Sequence, residues 1–403
     1  MSVSDVLLLI ASLYHALQAM YAFGSKKSAS SKGPKCENLS VHVPALREDK
    51  QMVIENIEKI KNVLNPKEVI LIVGSDEISK YADLKDVKVI GGAENGKARA
   101  LNEALRYTTA DCVVVFDADS HPLEGFEPRC LEYSASLWNG YYSVPNKWSK
   151  SLKVVTDIAS LTLLKGRKAL GLKVLAPGSG VCVKSEILEK VKWPEEITED
   201  LALGVELSKL GVTADLNEGK VAVEVPSSYF DLKRQQNRWN YGAIRSLKRL
   251  RVKDWKDIEL AFYLTQYAQT WLPLLALVAS PLGLSPLSLF VYYFSVLAQS
   301  LLVKEACEAN GVDHDVRSLS RASAAGLAMS ISLIMSSLRA LLNQPFKWEV
   351  TPKGGRVGKG RLREEYLLLL TPLFSFLNPF SLPLALQYFA SALFIIKDSK
   401  EFS

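Results

Sequence analysis

Cysteine is sparse and scattered in this chain, with five among 403 residues: Cys36, Cys112, Cys130, Cys182 and Cys307. No two form a Cys-x-x-Cys pair, and no histidine stands at ligand spacing from any of them. That spacing argues against a zinc module and a disulfide framework, and suits small buried residues of a reducing compartment. A dinucleotide fingerprint is missing as well, because Gly178-Ser179-Gly180 lacks its third glycine. Lys353–Gly360 follows a phosphate loop only in outline, since Gly360 stands where Ser or Thr would bind Mg²⁺. Neither segment supports a nucleotide hydrolase. No internal repeat or low-complexity tract is evident.

Two gaps in positive charge say more. No Lys or Arg occurs between Lys256 and Lys304, nor between Arg363 and Lys397. The first gap holds Ile258–Ser280 and Pro286–Val303, each long enough to cross a bilayer core of about 20 residues. The second holds two shorter apolar runs, Tyr366–Leu377 and Leu382–Ile396, separated by Asn378-Pro379-Phe380 and read as a short or tilted hairpin. Leu7–Phe23 is a further candidate span that carries the polar residues His15 and Gln18. A cleaved signal peptide fits it less well, because its lysines follow the apolar run instead of preceding it.

The net charge of +6 would allow a nucleic-acid partner, but its placement follows a membrane boundary. Lys26, Lys27, Lys32 and Lys35 follow the first apolar run, while the turns Pro281–Pro286 and Asn378–Ser381 carry no basic residue. The positive-inside rule then places the amino terminus outside, with the middle region and carboxyl terminus in the cytoplasm. By parity, Ala322–Leu342 cannot cross singly and is read as an interfacial or re-entrant helix.

Between these apolar ends lies a mixed middle that alternates strands and helices. Leu39–Val43, Val69–Val73, Val87–Ile90 and Cys112–Phe116 read as strands; Asp49–Leu64 and Lys97–Tyr107 read as helices. Such alternation predicts an α/β domain with a mainly parallel sheet. The expected organisation is a membrane helix and basic linker (1–36), a catalytic domain (37–229) and basic interfacial helices (230–256). A transmembrane hairpin (257–304), an interfacial helix with a loop (305–365) and a terminal hairpin with its tail (366–403) follow.

The chemistry-bearing residues come in a fixed order. Phe116-Asp117-Ala118-Asp119 closes a strand with two carboxylates one residue apart, at the sheet edge where open α/β folds bind ligands. Clustered carboxylates suit Mg²⁺ held together with substrate phosphates, although Asp is also a common turn residue. Ile197-Thr198-Glu199-Asp200-Leu201 opens a helix, where a plain cap at Thr198 is an equally direct explanation. Gln235-Gln236-Asn237-Arg238-Trp239 sits in a basic stretch that also suits an amphipathic helix on anionic headgroups. Trp348-Glu349-Val350-Thr351-Pro352-Lys353 lies in a later loop.

In this order the motifs resemble those of the membrane-integrated family 2 glycosyltransferases, the group of cellulose, hyaluronan and chitin synthases and their shorter relatives. Val43-Pro44-Ala45-Leu46-Arg47-Glu48 is similar to the first nucleotide-binding strand and turn. Gly96-Lys97-Ala98-Arg99-Ala100-Leu101-Asn102 is similar to the Gly-Lys-Ala…Leu-Asn segment. Asp117–Asp119 matches the Asp-x-Asp motif, Thr198–Asp200 the Thr-Glu-Asp motif and Gln235–Trp239 the Gln-x-x-Arg-Trp motif. Trp348–Lys353 matches the gating loop, with Trp in place of Phe. The chain departs where that family has adjacent Asp residues after its second strand: here Asp76 follows Val73-Gly74-Ser75.

The resemblance implies a GT-A catalytic domain and an inverting hexosyltransferase dependent on Mg²⁺ or Mn²⁺. It implies Asp200 as general base beside Thr198 and Glu199, and Asp117 and Asp119 at the metal. Donor contacts would come from Pro44, Ala45, Arg47, Glu48, Asp76, Lys97, Asp117, Arg238, Thr351 and Lys353. Acceptor contacts would come from Gly178, Ser179, Gly180, Gln235 and Trp239. The expected partners are a nucleotide diphosphate sugar (GDP-mannose or UDP-glucose), a lipid-linked glycan acceptor and the bilayer, at the cytoplasmic face of the plasma membrane. Nucleic acid is not expected. Two alternatives stay open: a processive polysaccharide synthase working as a homo-oligomer, and a non-catalytic membrane subunit that binds nucleotide sugar.

Overall fold

The computed structural model describes residues 1–27, 29, 33–129, 131–346 and 355–399. Its centre is an eight-stranded sheet of β1 (Leu39–Pro44), β2 (Glu68–Ile72), β3 (Lys88–Ile90), β4 (Cys112–Val115), β5 (Ser120–Pro122), β6 (Tyr133–Tyr141), β7 (Val181–Lys184) and β8 (Asp215–Glu224), in the order β3-β2-β1-β4-β7-β6-β8-β5. The β3-β2-β1-β4 half is parallel throughout. Beyond β4 the pairing turns antiparallel to β7, β7 to β6 and β8 to β5, with only β6 and β8 parallel. The sheet is mixed, with four of its seven pairings parallel, in keeping with the expected mainly parallel sheet. The change to antiparallel pairing falls at β4, the strand that leads into Asp117.

Burial on both sides explains the composition of the parallel half. Along β4, Val113 and Val115 enter one apolar cluster with Ile70, Val183 and Leu203, while Val114 enters another with Val41, Ile57 and Phe116. A strand covered on both faces needs a continuous β-branched run instead of alternation. The first two helices are α1 (Val3–Ser25) and α2 (Lys50–Leu64). The second buries Val53, Ile57 and Ile60, is capped by Asp49, and stops at Asn65 in the left-handed region, φ 43°. Gly96, at φ 100°, starts α3 (Lys97–Leu105) and points its first residue toward the end of β4.

Later helices are α4 (Lys147–Ser160), α5 (Glu199–Lys209), α6 (Tyr229–Leu247), α7 (Trp255–Leu264), α8 (Ala268–Ala279), α9 (Pro286–Asn310), α10 (Val316–Ala328), α11 (Ser330–Leu341) and α12 (Leu382–Asp398), with shorter turns between them. By length and composition, Val3–Ser25, Pro286–Asn310 and Pro379–Asp398 could cross a membrane. The expected span Ile258–Ser280 is broken between Leu264 and Ala268, leaving a shorter apolar helix, Ala268–Leu282. The expected first arm of the last hairpin, Tyr366–Leu377, is likewise cut into short turns around Thr371-Pro372, where proline removes a helical donor. The helices α10 and α11 are bent by 53° at Met329, the geometry of a broken span or a re-entrant loop.

Hydrogen bonds align the ends of these helices. At one end, the Asp5 carboxylate accepts from the Ser285 amide and the Ser288 hydroxyl, and the Asn378 amide donates to the Ser280 carbonyl. At the other, Asn310 donates to the Ser25 carbonyl, Lys26 pairs with Glu305, and Arg321 pairs with Asp398. The second end adjoins the sheet domain: Gly166 packs so closely on α1 that an added Cβ would lie 2.1 Å from the Tyr21 carbonyl oxygen.

Candidate active site

The carboxyl end of β4, the start of α3, the turn before β7, the start of α5 and one face of α6 converge on a cavity of about 1090 Å³. That volume exceeds the upper range of ordinary single-ligand pockets, roughly 1,000 Å³. Asp117 and Asp119 line it from the end of β4, Lys97 from α3, Gly178 from the turn, Thr198, Glu199 and Asp200 from α5, and Gln235, Arg238 and Trp239 from α6. Pro44, Ala45 and Glu48 line it from the turn after β1.

Electrostatics bind the acidic cluster together. The Lys97 ammonium lies 2.7 Å from an Asp117 oxygen and 2.7 Å from a Glu199 oxygen. Burial works to lower the Lys97 pKa, but Asp117, Glu199 and Asp200 outweigh it and hold the group well above its usual value. Burial and the negative charge of Glu199 push the Asp200 carboxyl up to about 7, against the pull of Lys97. A carboxyl poised near neutrality can take and give a proton at working pH. Gly178 sits at the centre of this group: an added Cβ would lie 3.2 Å from Lys97 Nζ, 3.3 Å from Asp200 Oδ2 and 3.7 Å from Asp117 Oδ2.

Thr198 holds the residue position of a helix cap but makes no side-chain cap bond, and its buried hydroxyl has no partner among the described residues. It packs against α6. Gly242 of α6 approaches so closely that an added Cβ would lie 2.1 Å from the Thr198 Oγ1. Glu199 and Asp200, in the first turn, still complement the helix dipole.

Several expected site residues stand elsewhere. Ser179 is fully buried, accepts from the Asp117 amide at 3.4 Å and donates a short bond to or accepts one from Ser120. Gly180 turns at φ 78° against Ser136, where a side chain would collide. Both support the turn, and of the three only Gly178 lines the cavity. Arg47 and Asp76 are exposed and also outside the cavity wall. Arg47 adopts φ 56°, and its amide donates to Glu77, which is 2% exposed and anchors the turn from beneath. Thr351 and Lys353 lie outside the described residues.

The α6 helix is not a free amphipathic surface. Asn237 and Asn240 donate to Ser332, Ser336 and Ser337 of α11, and Lys233 pairs with Glu364 and Glu365. This clasp holds Arg238 and Trp239 at the cavity. Sequence reasoning missed the wall formed by the apolar helices. It contains His15 and Gln18 of α1, Gln266 at the α7–α8 break, Tyr292 and Gln299 of α9, and Gln387 of α12. Gln18 bonds Gln266, His15 bonds Gln299, and Gln387 bonds Tyr292. Polar residues inside apolar helices were the available signal, since such residues usually face an interior cavity.

Comparisons with known proteins place the chain among glycosyltransferases. Residues 40–150 match the glycosyl transferase family 2 model, and residues 112–302 match the glycosyl transferase family group 2 model. A probable glycosyltransferase of Sulfolobus acidocaldarius is 25% identical over 383 residues, covering 83% of this chain and 82% of its own. The β-monoglucosyldiacylglycerol synthase of Synechocystis sp. is 31% identical over 177 residues, 40% of this chain and 36% of its own. Among solved structures, the mannosyltransferase PcManGT of Pyrobaculum calidifontis, in complex with GDP-Man and Mn²⁺, is similar at 16% identity and a TM-score of 0.51. That likeness covers 85% of this chain and all of the other, and shows the GT-A-like fold. With the sheet, the acidic cluster and two overlapping family matches from residue 40 to 302, this chain carries the catalytic domain of a family 2 glycosyltransferase.

Proposed function

We propose that this chain is an inverting, metal-dependent hexosyltransferase that moves mannose or glucose from GDP-mannose or UDP-glucose to a lipid-linked glycan acceptor at the cytoplasmic membrane face. The cavity supports this: the acidic cluster forms one wall, and apolar helices that could span a bilayer form another. A soluble acceptor would have no need of that second wall. The Synechocystis relative is named for a glycolipid, which fits an acceptor presented by the membrane.

Asp117 and Asp119 fit a hard divalent cation, since two carboxylates at a strand end plus a substrate diphosphate make an ordinary Mg²⁺ or Mn²⁺ oxygen set. Bound there, the ion would neutralise charge on the departing diphosphate. Arg238 can grip a phosphate through two hydrogen bonds, and Lys97 stands beside Asp117 as a second cation. Asp200 takes the proton from the attacking acceptor hydroxyl, an effect typically worth about 10²–10⁴-fold. Trp239 offers an apolar face for a sugar ring. Gly178 leaves room for the acceptor to approach the donor carbon.

The test is a detergent-purified protein supplied with labelled UDP- and GDP-sugars and extracted lipids. Asp200→Asn should abolish transfer while nucleotide binding persists; weakened binding with residual transfer would overturn the role of Asp200. Asp119→Ala should lose metal-dependent donor binding, and an unchanged titration with Mn²⁺ would remove it from the metal site. The amide-rich wall of Gln18, Gln266, Gln299 and Gln387 also favours a second reading, a processive synthase whose product occupies the helix bundle. Product sizing separates the two: single additions support the first, a ladder of long chains the second.

A further inference from the structure

The cysteines that looked unrelated in sequence meet in space. The sulfurs of Cys36, Cys112 and Cys182 all lie within 4.8 Å of one another, and those of Cys36 and Cys182 are 3.6 Å apart. All three side chains are buried. Register explains the meeting. Cys182 of β7 pairs with Val114, and Cys112 of β4 pairs with Lys184, so both cysteines stand on one face of the sheet. Cys36, in the segment leading from α1 into β1, is held over that face by its amide bond to the Pro128 carbonyl, 3.0 Å.

We propose that Cys36, Cys112 and Cys182 bind a thiophilic d¹⁰ cation, zinc in the first instance, as a structural centre separate from the catalytic metal. Zinc–sulfur bonds of about 2.3 Å in a tetrahedron set sulfur–sulfur edges near 3.8 Å. The 3.6 Å edge is close to that value, and the other two need only a modest adjustment. Each thiol gives up its proton as the ion binds. Three thiolates and Zn²⁺ leave one negative charge, and Lys184 shares the same sheet face. The centre ties the segment that follows α1 to β4 and β7, and so couples the first apolar helix to the catalytic sheet. Buried cysteines can also serve simply as small apolar core residues, and the experiment separates these cases.

Purified full-length protein is reconstituted with Zn²⁺ or Co²⁺ and passed through a desalting column. The expected result is about one ion per chain held through thiolates, seen with cobalt as a sulfur-to-metal charge-transfer band. That band should persist in Asp119→Ala and in Cys307→Ser, and vanish in Cys36→Ser. A thiol-reactive mercurial should release the zinc, and removal of the zinc by a chelator, which leaves the thiols unmodified, should lower the Tm. No band on cobalt addition to the wild-type chain would overturn the proposal in favour of an apolar core. So would a band retained in Cys36→Ser. The wild-type measurement decides even where a variant fails to fold.

Discussion

At the scale of single residues, the proposed chemistry depends on one carboxyl with neighbours of both signs. Asp200 must be ionised to accept a proton, and burial with Glu199 pushes its pKa up to about 7. Activity should therefore rise with pH through about 7 and level off above it, and a flat pH–rate profile across neutrality would count against Asp200 as the base. Glu199→Gln removes the neighbouring negative charge, so the inflection should move to lower pH. Gly178→Ala tests the crowding directly. Its methyl would press on Lys97 Nζ and Asp200 Oδ2 at 3.2 and 3.3 Å, shifting both from their productive positions. A loss of roughly 10²-fold in kcat is expected from a displacement of this kind, with little change in thermal unfolding. An equal fall in stability would mean that Gly178 serves the fold and not the reaction.

At the scale of elements, close contacts between helices set the angle at which the site residues are presented. Gly242→Ala would drive a methyl into Thr198 at the start of α5, an overpacking that costs about 1–3 kcal/mol. Denaturant unfolding should record that loss, together with a fall in activity greater than stability alone explains. A second junction joins α1, α7 and the segment that follows α4. Arg167 is fully buried, donates two bonds to Glu259 at 3.1 and 2.7 Å, and stacks 4.0 Å from the Tyr263 ring. Glu259→Gln would leave that cation without its counter-charge, a change worth about 3–5 kcal/mol, and should lower the Tm sharply.

The elements also show why some of this was legible in sequence. The strands β1 to β4 and helices α2 and α3 announce themselves through β-branched runs, a capping Asp49 and a left-handed Asn65, all local signals. The antiparallel half of the sheet depends on long-range pairing of β7 and β8, which no short window encodes. Hydropathy made Ile258–Ser280 a span, yet Thr265, Gln266 and Tyr267 break it, and Gln266 and Tyr267 line the cavity. Ser179 and Gly180 were read with Gly178 as one surface; all three are buried, and only Gly178 lines the cavity. Convergence of the cysteines was equally invisible, since it needs the β4–β7 register and the path of the segment after α1.

At the scale of the whole molecule, helix ends and charge make one orientation testable. Ser285, Ser288, Ser280 and Asn378 gather with Asp5 at one end, where the turns between helices carry no Lys or Arg. Lys26, Glu305, Arg321 and Asp398 gather at the end next to the sheet. A bilayer crossed by α1, α9 and α12 would separate these two groups, and the basic group belongs on the cytoplasmic side. On that orientation Leu282, 77% exposed in the α8–α9 turn, and Lys304, near the opposite end of α9, would lie on different sides. In intact cells, a membrane-impermeant maleimide should label Leu282→Cys from outside, and Lys304→Cys only after permeabilisation. The cysteines at positions 36, 112, 182 and 307 are buried, and Cys130 is replaced by Ser in both labelling variants. Labelling of both sites from the same side would remove α9 as a span. Reversed labelling would put the nucleotide-sugar site outside the cell, where cytoplasmic donors do not reach it.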